Sequence, residues 1–308
     1  MNNIIRFYNQ NRKKIWRIII IIVAIIILLQ ILNQLAVRDN NTAVRNNNNT
    51  ANNTTNQNVT YSSTISGVTG ESVSKSRLEN AQTILDKFYG ACNTGDYEKA
   101  YDMLTNECKE MLYSSVDIFK TNYYDNIFGG KTQNYSFENW YDNIYYVTIK
   151  EDALATGKIT SDRDAIHDYV TVVDEKLNIS SYIGRTQINK EEKHENITML
   201  VISKDTFMDY ETYNIRIKNN SENTICLTTC GSSQDIYIQD SNNVKYGVYN
   251  HELLRKKMEI QPNATTALAF KFYSSYVSSK EIKRLCFKNL NLNYIDGEEE
   301  LYEYRIDF

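Results

Sequence analysis

Cysteine is scarce in this chain, with five residues among 308. That is too few for a disulfide framework, and the odd number leaves at least one thiol unpaired in a monomer. Cys92 and Cys108 fall about 16 Å apart along a predicted helical hairpin, and Cys226 and Cys230 about 13 Å apart in one strand. A bridge needs Cα atoms within about 7 Å. Only a bridge from Cys286 to Cys226 or Cys230 stays open, and small buried thiols are the interpretation we favour.

Catalytic and cofactor-binding motifs are missing as well. The sequence has no Ser-His-Asp set, Cys-His pair, glycine-rich dinucleotide loop, P-loop or EF-hand loop. His167 and Asp168 are adjacent, so their side chains are expected to point different ways, and His251 is expected at the surface. The Asp162-Arg-Asp164 triplet would need a parallel α/β domain to hold a nucleotide sugar, and no strand–helix alternation is present. We therefore predict a protein that is not an enzyme, with no cofactor and no metal.

A net positive charge is confined to the start of the chain. The net charge is −4, yet the first seventeen residues carry five basic residues and no acid, so the remainder carries −9 (−4 minus +5). An acidic body lacks the basic footprint that binds phosphate backbones. Nucleic acid is therefore excluded as an expected partner.

One long hydrophobic segment stands behind this basic tail. Twelve uninterrupted apolar residues, Ile18–Leu29, continue with interspersed amides to Val37. Twenty residues make a helix of about 30 Å, which matches a bilayer core. The basic tail, 1–17, predicts a cytoplasmic N-terminus with the later domains outside the cell membrane. A cleaved signal peptide is the alternative, but no small-x-small cleavage site follows.

Residues 38–75 have almost no large apolar side chains. Ten of the nineteen residues in 40–58 are Asn. Such a composition cannot bury enough surface to offset the entropy of ordering, so it predicts a disordered linker. Heavy use of Asn, Tyr and Ile also fits a bacterium with an AT-rich genome.

A helical region follows, in a predicted domain spanning 76–188. Ser76 is the expected N-cap of a first helix, with apolar residues at helical spacing through Cys92. Gly95 and Asp96 predict a sharp turn into a second helix, 97–112. Ser115 predicts the cap of a third helix that stops at Gly129.

Strand-like alternation then replaces the helical pattern. Residues 144–149 place Ile144, Tyr146 and Thr148 on one face and the intervening residues on the other. Three more strands are predicted from the segments ALATGKIT, YVTVV and KLNISSYIGRTQI. Helices followed by an antiparallel sheet predict an α+β domain.

The run FYGACNTGDYEKAYDMLT resembles the helical opening of NTF2-like domains, where a Gly-Asp-Tyr turn joins two helices. The resemblance implies a cone of helices and curved sheet, whose members include enzymes, ligand binders and assembly modules. The membrane-anchored layout is similar to VirB8-type components of secretion machines. On this fold Phe88, Trp140, Tyr145 and Tyr146 are candidate pocket-lining residues, with packing of the core as the role we favour.

The last region, 195–308, is β throughout. Tyr213, Ile215 and Ile217 alternate with polar residues, as do Tyr304 and Ile306 near the C-terminus. About seven short strands separated by turn clusters predict an immunoglobulin-like β-sandwich.

Three functions are compatible with this organisation. The first is a non-enzymatic envelope protein that contacts partner proteins in a conjugation- or transport-like assembly. The second is a cone that binds a small ligand or has weak enzymatic activity. The third, a sensor, has little support because the cytoplasmic tail has only about seventeen residues. We favour the first.

Overall fold

The computed structural model describes residues 60–157, 161–228, 232–252, 258–294 and 301–308. All of them fall in one compact unit, Asn58–Phe308. The basic tail, the Ile18–Val37 segment and the first part of the predicted linker lie outside the described residues. Within the described ranges, no helix combines the length and the apolar character that a membrane crossing requires.

Most of the helices precede the first strand. The helices are α1 (Lys75–Asn93), α2 (Tyr97–Asp102), α3 (Asn106–Leu112), α4 (Val116–Phe119), a π-helical turn (Lys120–Tyr124), α5 (Asp125–Ile127) and α6 (Ala153–Thr156), with 3₁₀ turns at Asp162–Asp164 and Asn250–Glu252.

Short-range signals set most of the helix ends. Gly95 takes a left-handed φ of +81°, and the Asp96 side chain accepts from the Lys99 N–H at 3.2 Å, so the predicted turn is confirmed. Ser115 caps the third helical segment as predicted. The first cap was predicted two residues late, because Ser74 and not Ser76 accepts from the Arg77 N–H.

The predicted second helix, 97–112, is wrong as a single element. It breaks after Asp102 because the backbone of 103–105 pairs with Leu177: the Leu177 N–H donates to Met103 O, and the Thr105 N–H donates to Leu177 O. The helix restarts at Asn106, where the Thr105 hydroxyl accepts from the Cys108 N–H. A tertiary backbone pairing therefore overrides a continuous amphipathic pattern.

Fourteen strands follow in the described ranges. They are β1 (Gln133–Tyr141), β2 (Ile144–Glu151), β3 (Ile166–Val173), β4 (Lys176–Asn178), β5 (Tyr182–His194), β6 (Ile197–Phe207), β7 (Glu211–Asn219), β8 (Ile225–Cys226), β9 (Ile236–Asp240), β10 (Lys245–Gly247), β11 (Glu259–Ile260), β12 (Thr265–Phe272), β13 (Ile282–Asn291) and β14 (Leu301–Asp307). The segment ALATGKIT was predicted as a strand, but its first four residues form α6.

The strands form three antiparallel sheets. The N-terminal sheet has the order β1-β2-β3-β4, and the middle sheet has the order β12-β7-β6-β5. The C-terminal sheet has the order β10-β9-β13-β8-β11, with β14 paired to β13. The predicted α+β class is confirmed: helices with antiparallel sheets precede a β-rich region with a curled half-barrel. The finer NTF2-like and immunoglobulin-like assignments stay predictions.

Two hydrophobic cores lie under these sheets. The first core joins the helices to the N-terminal sheet, and the second core joins the middle and C-terminal sheets. The β5–β6 hairpin reaches both, because Tyr182 and Phe207 belong to the first core whereas Ile197 and Met199 belong to the second. The gap between the two predicted domains, 189–194, therefore lies inside β5 rather than in a linker.

The described end of the predicted linker is ordered. Ser62 N–H donates to Phe137 O, and Gly67 N–H donates to Asn139 O, so residues 60–68 lie along β1, and residues 70–73 fold back onto residues 64–66. Tyr61 forms a parallel bridge with Phe137. The prediction of disorder through residue 75 is wrong for this part, because the free edge of β1 supplies backbone partners that composition alone does not reveal.

Candidate functional site

The four candidate pocket residues are divided between the two faces of the N-terminal sheet. Phe88 and Tyr145 are buried in the first core, at 0% and 1% exposure. Trp140 and Tyr146 are half-buried on the opposite, outer face of the N-terminal sheet. Neighbouring strand residues point to opposite faces, so Tyr145 and Tyr146 could not line the same surface.

The interior of the helical region is filled by its own aromatic rings. The Phe119 ring lies 5.3 Å from the Tyr123 ring and 5.4 Å from the Tyr113 ring, centroid to centroid. Phe88 packs against both Phe119 and Tyr123 at 6.5 and 6.0 Å. Such edge-to-face and stacked pairs stabilise a packed core. The role that we favoured for Phe88 and Tyr145, packing of the core, matches their positions.

One carboxylate also lies on the inner face. Asp168 accepts from the backbone N–H groups of Ser180 and Ser181 at 2.8 Å each. Both serines have positive φ, +56° and +59°, and Tyr113 shares a 2.6 Å hydrogen bond with the Ser180 hydroxyl. Burial raises the pKa of Asp168 to about 6, against the opposing effect of these N–H donors. Both oxygens are engaged in holding a strained turn, so this geometry gives Asp168 a structural role.

The outer face of the N-terminal sheet carries what we call the outer aromatic cluster: Trp140, Tyr146, His167 and Tyr169. Tyr146 is its centre, with ring centroids 5.3 Å from His167, 5.1 Å from Tyr169 and 6.5 Å from Trp140. The Tyr146 and His167 rings are nearly parallel, at 8°. His167 is exposed and the other three are half-buried. A contiguous patch of Trp, Tyr and His rings has the composition of an interface centre.

Register explains how the cluster forms. Tyr146 of β2 lies directly opposite Tyr169 of β3, and Thr148 lies opposite His167. The Thr148 hydroxyl is 3.2 Å from Nδ1 of His167. His167 and Asp168 point to opposite faces, in line with the sequence argument against a His–Asp relay. Tyr169 was missed as a site residue because strand pairing, which a single sequence does not show, places it beside Tyr146.

The ordered segment before α1 supports one side of the cluster. Ser66 Oγ donates to the Trp140 carbonyl at 2.8 Å. A Cβ added to Gly67 would lie 3.2 Å from Cε3 of Trp140, so glycine permits close contact with the indole. Contacts with Ser66 and Gly67 therefore hold Trp140 in place, while the Trp140 side chain remains half-exposed.

Acidic groups flank the outer aromatic cluster. Glu138 lies opposite Tyr146 in the β1–β2 ladder. Burial raises the pKa of the Tyr169 hydroxyl, and the nearby Tyr146, Asp209 and Glu138 raise it further. Negative potential beside aromatic faces favours cationic groups, which bind such rings by cation–π contact.

A separate polar cleft lies near the start of β5. Its volume is about 330 Å³, and its lining includes Thr105, Asn143, Asn178 and Arg185. The polar groups are already engaged: Thr105 donates to Asn178, Asn178 donates to Ile183 O, and Asn143 donates to Val172 O. This cleft lies apart from the four predicted pocket residues.

The described cysteines show no reactive site. Cys286 is a buried free thiol, so the bridge to Cys226 or Cys230 that the sequence left open is not formed. Burial raises the pKa of Cys92 and of Cys108 to about 12, which disfavours the nucleophilic thiolate. No group of His, Cys, Asp or Glu side chains within the described ranges is arranged to hold a metal ion.

Comparison with known proteins adds little to this geometry. No protein-family model matches the sequence, and no curated protein matches it. Among solved structures, one of a functionally unknown protein from Listeria monocytogenes EGD-e matches 41% of this chain and 82% of its own, at 9% identity and a TM-score of 0.27. That likeness is too distant to identify a family or a function.

Proposed function

We propose that this protein is a non-enzymatic interaction module of the bacterial envelope. In this proposal the Ile18–Val37 segment anchors it in the cell membrane, and the folded part contacts a partner protein outside. The outer aromatic cluster is the contact surface and carries the proposal. Trp and Tyr rings supply large apolar area with little loss of side-chain entropy, which makes them frequent centres of protein interfaces.

The acidic residues beside the outer aromatic cluster indicate which kind of partner surface would bind there. Glu138 and Asp209 lie near Tyr169, and the sequence after the basic tail is acidic. A partner surface with Arg or Lys side chains would satisfy both features, because its cations stack on the rings and its charge is attracted by the acids. A ligand-binding function is the alternative, and it would use the 330 Å³ cleft rather than the filled helical interior.

The experiment is site-specific photocrosslinking of the full chain in native membranes. A photoreactive phenylalanine replaces Tyr169, and a matched control places it at Val244, a residue with 48% exposure in the turn between β9 and β10. We expect one discrete adduct from position 169 and none from position 244. Trp140→Ser in the same chain should abolish the adduct, and high salt should weaken it.

Equal adducts from both positions, or an adduct that survives Trp140→Ser, would argue against the outer aromatic cluster as the contact surface. A control is needed for folding, because Trp140 contacts Gly67. The Trp140→Ser protein should therefore melt as a single transition within a few degrees of the unchanged chain, since one half-exposed ring contributes modestly to stability.

A further inference from the structure

Strand β12 forms one edge of the middle sheet. In its ladder with β7, Ala264 O accepts from Asn219 N–H, which fixes the alternation of inward and outward backbone groups. On the other side, Lys271 O accepts from Tyr249 N–H. The backbone groups of successive residues in a strand point alternately toward and away from a given neighbouring strand. The N–H and C=O groups of Thr265, Ala267 and Ala269 therefore point away from β7. Within the described ranges no strand pairs with that stretch of the edge.

The two edges of the middle sheet differ in their protection. The β5 edge has two register shifts, a left-handed Asn189 at φ +51° and a run of charged residues from Lys190 to His194. Such features prevent pairing with other chains. The β12 edge has a continuous register over 265–272 and no charge or proline before Lys271. Its first half is therefore competent for strand addition.

A groove lies along the same edge. Its volume is about 370 Å³, and its lining includes Tyr210, Met258, Ala267, Leu268 and Lys271. Leu268 is half-buried and packs against the second core. One face of an added strand would therefore meet apolar surface, as strand-addition sites require.

The other face of this edge is positively charged. Arg216 lies opposite Ala267, and Lys218 lies opposite Thr265. Both are exposed, and neither forms an ion pair within the described part of the chain. Strands are spaced about 4.8 Å apart, so the small Ala267 leaves room for the Arg216 side chain to reach a strand added beyond β12. Carboxylates on that strand would meet these cations.

We propose that the β12 edge binds an extended segment of a partner protein in which apolar and acidic residues alternate. The backbone groups of Thr265, Ala267 and Ala269 pair with the added strand. Its apolar side chains face Leu268 and its acidic side chains face Arg216 and Lys218. Pairing with β12 of a second copy is disfavoured, because it would bring the Arg216 and Lys218 side chains of both copies together.

The test measures binding of labelled peptides to the full chain in detergent by fluorescence anisotropy. The probe is a Val-Glu repeat of seven residues, and the control is a Val-Lys repeat of the same length. We expect the acidic peptide to bind at least about tenfold more tightly, which corresponds to about 1.4 kcal/mol. Equal affinity for the two peptides would overturn the proposal.

Two variants separate backbone pairing from charge attraction. Ala267→Pro removes one outward N–H without removing a bond to β7, and it should weaken binding at least about tenfold, since edge positions tolerate proline. Ala267→Val keeps that N–H and should bind like the unchanged chain. Arg216→Glu should make the protein bind the Val-Lys peptide more tightly than the Val-Glu peptide. This second variant tests the proposal even if Ala267→Pro fails to fold. Undiminished binding by a folded Ala267→Pro protein, or a dimer that this substitution dissociates, would contradict the proposed partner strand.

Discussion

Arg185 donates from Nε to Oδ1 of Asp205 at 2.9 Å, across the register that pairs β5 with β6. The Asp205 side chain is fully buried, whereas that of Arg185 is 17% exposed. Asp205 also accepts from the Tyr182 hydroxyl at 2.7 Å and from the Asn214 amide at 2.8 Å. This network lies where the β5–β6 hairpin passes from the first core toward the second.

Removing the Arg185 side chain should show how much the buried Asp205 carboxylate destabilises the fold when it has no cationic partner. We expect Arg185→Met to lower the free energy of unfolding by about 3–5 kcal/mol, because it leaves Asp205 buried without its cation. Glu110→Gln removes the exposed partner of Arg185, 2.5 Å away, and should cost less than about 1 kcal/mol. Chemical denaturation of both variants measures the difference. Similar losses for the two would show that burial of Asp205 is not the dominant effect.

Tyr145 and Tyr146 form a matched pair for the two faces of the N-terminal sheet. Tyr145 is 1% exposed in the first core, so Tyr145→Ala should cost about 3–5 kcal/mol through lost burial and the cavity left behind. Tyr146→Ala removes a half-exposed ring and should cost clearly less, on the order of 1 kcal/mol. Urea unfolding curves compare them. Equal costs would contradict the assignment of the outer aromatic cluster to a surface.

Asp168 should make stability depend on pH. Burial raises its pKa from the ordinary value of 3.8 to about 6, so between those values the folded state holds a proton that the unfolded state has lost. The contribution of Asp168 to stability is therefore full below about pH 4 and declines as the pH rises to about 6.

The measurement is the difference in unfolding free energy between the unchanged chain and Asp168→Asn. We expect that difference to fall by on the order of 1 kcal/mol per pH unit between pH 4 and 6, and then to level off. Asp174→Asn, at an exposed turn residue, gives the background for removing one carboxylate. A difference that rises with pH in this window would mean that the hydrogen bonds from Ser180 and Ser181 outweigh burial.

The C-terminal strand should be needed for the second core. Tyr304 and Ile306 of β14 are 3% and 0% exposed, and β14 pairs with β13. Deleting residues 302–308 removes both side chains and the ladder, so we expect a melting temperature at least about 10 °C lower, or loss of folding. Deleting Phe308 alone, which is 38% exposed, should have a small effect. A 302–308 deletion that melts like the full chain would show that β14 is dispensable.

Periodicity and caps predicted the local elements well. Asp96 and Ser115 cap helices as expected, because a capping side chain contacts amides only two or three residues away. The faces of β7 and of β2 follow from alternation in the same way. Strand β6 was not predicted, although it lies within the second expected domain and its buried and half-buried residues alternate over 197–204.

The sequence by itself determined which residues alternate, where helices begin and the absence of familiar catalytic motifs. It also raised the expectation of a membrane anchor at Ile18–Val37, which lies outside the described residues. Only the tertiary structure decided the break at 103–105, the outward position of Trp140 and Tyr146, and the hairpin that joins the two cores. These features depend on contacts between segments far apart in the chain, such as Met103 with Leu177 and Tyr146 with Tyr169. Local periodicity determines which side chains share a face of a helix or strand. What that face packs against is determined by strand pairing and packing between segments that are distant in the sequence.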